Sequence, residues 1–90
     1  MEGLLKRATQ LIGRAILSGT RRRRLGKISD LLLDEERNRI VGLVVRSGWL
    51  QQERVLPYSA VQAFERDAVI ARSEDALIGP SDVPPRRARE

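Results

Sequence analysis

The stretch LGKISDLLLDEERNRIVGLVV, Leu25 to Val45, decides the fold. Two apolar runs flank DEERNR, which holds no apolar residue, so the segment reads as two strands joined by a hairpin turn. The second run is dense in β-branched residues, with Ile40, Gly42 and Val44 alternating with Val41, Leu43 and Val45. Both faces of that strand are then apolar. In a chain of 90 residues this implies a sheet that curls or closes into a barrel, or a face covered by a terminal helix or a partner subunit. The first run is more mixed: Ile28 is β-branched, Gly26 marks a bulge or a close backbone approach, and Asp34 ends it.

Upstream, Leu4, Ala8, Leu11 and Ile12 follow helical spacing and stop at Gly13, which gives a short helix or an extended lead-in. RAIL, Arg14 to Leu17, reads as a first strand, and Ser18, Gly19 and Thr20 supply turn chemistry after it. Downstream, Ser47 to Trp49 is a turn signal, and QERVLP makes a short strand that Pro57 ends. Tyr58 to Val61 fits one helical turn, with Pro57 at an N1-like position and Ser59 as a local cap. VQAF, ERD and AVIAR write a last hairpin, and Ser73 is placed to cap a helical turn over SEDALI, whose Glu74 and Asp75 suit its first positions. GPSDVPPRRARE, with three prolines, reads as a disordered basic tail.

The expected organisation is therefore a lead-in over 1–10, one domain over 11–78 and a tail over 79–90. The fold class is all-β: about six short strands with short helical turns, a meander closing into a small barrel.

Composition narrows the chemistry. Cysteine and histidine are both absent, which removes disulfides, thiolate nucleophiles, the usual zinc and copper ligand sets and the usual general base near neutral pH. Any enzymatic reading rests on carboxylates, lysine or Tyr58, so the expectation is a non-enzyme without cofactor or metal. No apolar run nears the roughly 18 residues of a membrane span. Glu2 precedes the first basic residues and no apolar signal core follows, so the expected location is cytoplasmic. The net charge is +5. Between Leu11 and Ile78 there are 12 basic and 9 acidic residues, and four of the 12 are Arg21 to Arg24, so basicity is local to one loop.

The order LIGRAIL, LGKISDLLLD, RIVGLVV, ERVLPYSAV and DAVIA, over Leu11 to Leu77, resembles the PRC-barrel family. Its markers are Gly13, the L-G-x-I-x-D of Leu25, Gly26, Ile28 and Asp30, the Leu-rich strand ending at Asp34, Val41 to Val45, and the L-P-x-S-A-V of Leu56 to Val61. The family includes the cytoplasmic part of the photosynthetic reaction-centre H subunit and the C-terminal domain of a ribosome-maturation factor. The resemblance implies a small barrel without shared catalytic residues, acting as an interaction or adaptor module. Members often carry glycine three residues before the Leu-Gly pair, where this chain has Arg22. A left-handed arginine is strained, so either the turn tip shifts to Gly19 and Thr20 or the loop is loose.

Each candidate site has two readings. Arg21, Arg22, Arg23 and Arg24 are either a solvated hairpin tip or a contact for an acidic partner, a protein surface, anionic headgroups or RNA. Trp49 and Leu50 either cap the barrel end or anchor an interface, with self-association into a homodimer as the favoured use. Asp30 reads as a polar residue bonding turn amides or pairing with an arginine, rather than a catalytic acid. Asp34, Glu35 and Glu36 read as a solvated acidic turn, because they lack the ligand spacing of a calcium loop. Tyr58 reads as an amphipathic residue at the core edge. The expected function is a non-enzymatic module with a protein partner, the alternative being RNA or ribosome association through the arginine loop.

Overall fold

The computed structural model describes residues 9–19, 21–48, 52–79 and 86–87. In chain order the strands are β1 (Ala15–Ser18), β2 (Arg24–Asp34), β3 (Arg39–Ser47), β4 (Gln52–Pro57), β5 (Val61–Phe64), β6 (Ala68–Ala71) and β7 (Arg86–Arg87). Three single 3-10 turns, Thr9–Leu11, Tyr58–Ala60 and Glu74–Ala76, complete the elements. The domain is all-β, as the alternating apolar runs require. Of the helical spacing read from Leu4 to Ile12, the described part is the Thr9–Leu11 turn, which leads to Gly13 at φ 99.

The sheet order is β4-β3-β2-β1-β6-β5, and β7 adds to β2 off this path. β1 to β4 form an antiparallel meander, whereas β1 and β6 run parallel, with Ala15 opposite Ala68 and Ser18 opposite Ala71. The expected meander therefore breaks between β4 and β5. The expected barrel closure also fails, because no ladder joins the two edge strands β4 and β5. On β4, Val55 and Ile78 exchange both backbone hydrogen bonds at 2.8 Å, so Val55 pairs with the segment after β6 rather than with β5. The sheet is curled and open.

Bulges decide which face each residue takes. Ser29 is an extra residue on β2 between the Ile28–Val45 and Asp30–Val44 pairs, and Val41 is an extra residue on β3 between the Gly42–Leu32 and Ile40–Leu33 pairs. Simple alternation along β3 therefore fails at Val41. Ile40 packs on the cluster of Ile16, Ile28, Leu31, Leu33, Leu43 and Val45, while Val41 joins Leu32, Val44 and Val55 on the other face. Both faces of β3 are apolar, and Ile78 covers part of the second cluster. Each buried Leu, Ile or Val contributes about 1.5–3 kcal/mol relative to exposure, so aliphatic side chains alone build this core.

Local chemistry explains the connections. Gly26 lies so near β3 that a Cβ there would sit 2.6 Å from the Arg46 carbonyl oxygen and 2.7 Å from Val45 Cγ1. That is the close approach expected of it. The Tyr58–Ala60 turn has Pro57 as its N-cap residue, not at the first helical position, and no side chain caps it. Ser73 likewise precedes the Glu74–Ala76 turn, a single 3-10 turn, without a capping hydrogen bond. Within the tail expected to be disordered, Arg86–Arg87 pairs with Leu33 and Leu32 on the part of β2 that β1 does not reach.

Candidate basic interface

The arginine loop is built from the end of β1. Ser18 is fully buried; its carbonyl accepts the Arg22 N–H at 2.8 Å, its own N–H donates to the Arg23 carbonyl at 2.8 Å, and its Oγ accepts the Arg23 N–H at 3.2 Å. Gly19 N–H donates to the Ala71 carbonyl at 2.7 Å, tying the same turn to β6. Arg22 sits at φ 52, in the left-handed region. Arg22 itself therefore takes the left-handed position at this tip.

A long-range pair holds this strained residue. Arg22 Nη2 donates to Glu65 Oε1 at 2.9 Å and Nη1 to Oε2 at 3.3 Å, a two-pronged contact between the β1–β2 and β5–β6 hairpins. The hydrogen bond from Arg22, followed by burial acting in the opposite sense and by the arginine charge, leaves the Glu65 carboxyl below its ordinary value of 4.5. The Arg22 guanidinium is raised for the matching reason. Both side chains are exposed, at 58% and 44%, so solvent screens the pair. Arg23 Nη1 lies 3.7 Å from Glu74 Oε1. Two of the four arginines are thus neutralised by acids elsewhere in the fold. Arg21 and Arg24 are exposed and have no ion pair among the described residues.

Arg24 belongs to a second feature that the sequence reading missed. An open groove of about 650 Å³ runs along one end of β2 and β3 and is lined by Arg24, Lys27, Asp30, Arg46 and Glu53 together with Gly13 and Gly26. Lys27 on β2 stands directly opposite Arg46 on β3, which in turn stands opposite Glu53 on β4. Arg46 Nη2 donates to Glu53 Oε2 at 3.5 Å, offsetting one charge of the like-charged pair. Lys27 and Arg46 keep the register of the Asp34–Arg39 pair at the turn, because the Val41 bulge on β3 and the Ser29 bulge on β2 compensate each other. Asp30 is 7% exposed and its Oδ1 accepts the Leu31 N–H at 2.8 Å, so it anchors the backbone beside the bulge, in the amide-bonding role expected of it.

The other candidates fall elsewhere. Asp34, Glu35 and Glu36 occupy the β2–β3 turn, where Asp34 accepts the Arg37 N–H at 3.3 Å and pairs with its guanidinium at 3.5 Å. Tyr58 is 45% exposed and Phe64 46%, with ring centroids 5.8 Å apart and tilted by 37°. Tyr58 also lines a shallow groove of about 530 Å³ with Ile40 and Val41. Trp49 and Leu50 lie outside the described residues. No helix among the described residues is long and apolar enough to cross a membrane.

No curated protein matches the chain. A family model, that of the PRC-barrel domain, matches residues 5–77, well over half of the sequence. The curled all-β sheet of that span agrees with the resemblance carried by Gly26, Asp30 and the Leu-rich β2, and the chain belongs to the PRC-barrel domain family.

Proposed function

We propose that the chain is a non-enzymatic interaction module of the adaptor kind, which docks a protein partner on the exposed side of its sheet. The Tyr58–Phe64 pair carries this reading. Both rings are nearly half exposed and touch each other, at the junction of the edge strands β4 and β5. With Ile40 and Val41 in the adjoining groove they form an apolar surface rimmed by Asn38 and Arg39, the composition of an interface centre with a polar rim. Trp49 and Leu50 extend the proposal to self-association as a homodimer, from their residue types alone.

A pull-down from native lysate tests the reading. The unmodified chain is expected to retain a protein that the Tyr58→Ala/Phe64→Ala variant loses. An empty pull-down, combined with a monomer by light scattering, would sink it.

RNA contact is the second reading, favoured by the groove that gathers Arg24, Lys27 and Arg46 and by the exposure of Arg21. Against it, the ring pair among the described residues, Tyr58–Phe64, lines neither the arginine loop nor this groove, and so offers no stacking platform there. Titration of a fluorescent RNA at two salt concentrations should give a slope of about 0.7 to 0.9 per phosphate contact. Binding that ignored salt, or the replacement of Arg21 to Arg24 by serine, would exclude this reading.

A further inference from the structure

β2 is the longest strand, and its two edges are used unequally. β3 follows one edge as far as Asp34. On the other, β1 pairs from Lys27 back to Arg24, and Ile28 still exchanges backbone bonds with Gly13 and Arg14, at 2.8 and 2.9 Å. Past Ile28 that edge has left β1 behind. Peptide groups on an uncovered edge are a template for another strand. Here the template is taken by two residues, Arg86–Arg87, opposite Leu33 and Leu32.

We propose that the β2 edge at Leu32–Leu33 is a strand-acceptor site for an extended, arginine-bearing segment of a protein partner, held shut in the free chain by its own Arg86–Arg87. The proposal rests on the interaction-module reading and names one class of partner for it. Four observations converge. A two-residue ladder supplies few hydrogen bonds, so it is readily exchanged for a longer strand that forms the same bonds and more. The segment that occupies the edge follows Pro84 and Pro85, residues that favour an extended chain and reduce the ordering cost of strand addition. Its composition is basic, and in the antiparallel register Arg86, opposite Leu33, stands one position from Asp34, which ends β2 and leads into Glu35 and Glu36. Opposite charge at a strand end favours the right partner and speeds its approach. Finally, Ile78 is fixed on β4 by its bonds to Val55, so only a short connection separates an anchored residue from Arg86. A short tether gives the internal strand an effective concentration in the millimolar range, roughly, which keeps the site closed against weak competitors.

The chain's own sequence supplies the probe. A fluorescein-labelled peptide of residues 82–90, DVPPRRARE, is titrated into the full chain and into the full-length Arg86→Pro/Arg87→Pro variant, whose tail lacks the two N–H groups needed for pairing. A circular-dichroism melt checks that the variant folds. The peptide is expected to bind the proline variant about tenfold or more tightly than the unmodified chain, because the internal competitor has gone. Binding should weaken several-fold in the added Glu35→Lys/Glu36→Lys background, and with a peptide whose arginines are replaced by glutamate. Equal affinity for the two chains, or equal binding of the charge-reversed peptide, overturns the proposal. So does a concentration-dependent dimer of the unmodified chain that the proline variant abolishes, since the site would then belong to a second copy. If the peptide behaves as expected while the pull-down stays empty, the acceptor site stands and the module reading falls. A retained partner that binds both chains alike has the opposite meaning.

Discussion

The two hairpin tips of the meander solve one backbone problem by different means. At the β2–β3 turn Asn38 adopts φ 51, and at the β1–β2 turn Arg22 adopts φ 52. Asparagine tolerates the left-handed region and its turn is closed by neighbours, through the Asn38 N–H to the Glu35 carbonyl at 3.3 Å and the contacts between Asp34 and Arg37. Arginine has no such tolerance. Its turn is held by buried Ser18 and by Glu65, which lies 43 residues away in sequence. The acidic tip is locally specified, and the basic tip is specified by the rest of the fold.

The largest effect should come from the base of the basic hairpin. Gly26→Ala forces a Cβ against the Arg46 carbonyl and should cost about 1–3 kcal/mol in urea denaturation. Gly42→Ala, on β3 of the other hairpin, meets only Val55 Cγ1 at 3.1 Å and ordinary contacts beyond it. Its net change should stay within about 1 kcal/mol, because the lost freedom of the unfolded chain offsets the crowding. Similar losses at the two glycines would erase the contrast.

Next in size is the acidic tip itself. Asn38→Val places a β-branched residue in the left-handed region and should destabilise by about 1–2 kcal/mol, whereas Asn38→Gly should be neutral or stabilising in the same thermal melt. If both substitutions are silent, the turn is not held at φ 51.

Glu65→Gln addresses the tertiary support of the basic tip. It should lower Tm slightly at low ionic strength, and the difference from the unmodified chain should shrink in 0.5 M salt, roughly, where screening shortens to a few ångströms. A salt-independent loss would mean that packing, not charge, holds Arg22.

The smallest effect is in pH. The folded carboxyl of Glu65 is depressed below 4.5, so the unfolded state takes up a proton first as pH falls. The stabilisation is fully present above the unfolded value and is lost as pH drops through the folded one. Comparing melts of the unmodified chain and Glu65→Gln from pH 6 to about pH 3, the gap should narrow toward the acidic end. A gap that widened there would reverse the assigned sign.

What the sequence made legible follows the same division. The strands around DEERNR and the hairpin VQAF-ERD-AVIAR depend on nearby residues and were readable, and Gly26 was readable as either a bulge or a close approach, its partner Arg46 being on the next strand. The family pattern also pointed to a left-handed requirement at Arg22, although the conformation was expected to move or loosen rather than persist. Single-residue bulges at Ser29 and Val41 were not readable, because each is fixed by the partner strand's register, and the one at Val41 exchanges the faces assigned to Ile40 and Val41. The two bulges lie on opposite strands and cancel, so Lys27 still faces Arg46 in the register that the turn sets. Glu65 gave no signal as the partner of Arg22, since nothing in ERD says which distant loop it faces. Parallel pairing of β1 with β6 and the addition of β7 to β2 are likewise contacts between remote parts of the chain, where propensity carries no address.

That parallel pair also orders events during synthesis. β1 leaves the ribosome before the other described strands, but its partner β6 follows on the order of fifty residues later. The β2–β3–β4 meander needs only neighbouring turns and can assemble while β6 is still unmade. Until then one side of β1 has no strand to pair with, and nascent chains stalled before Ala68 would expose it to chaperones or to one another.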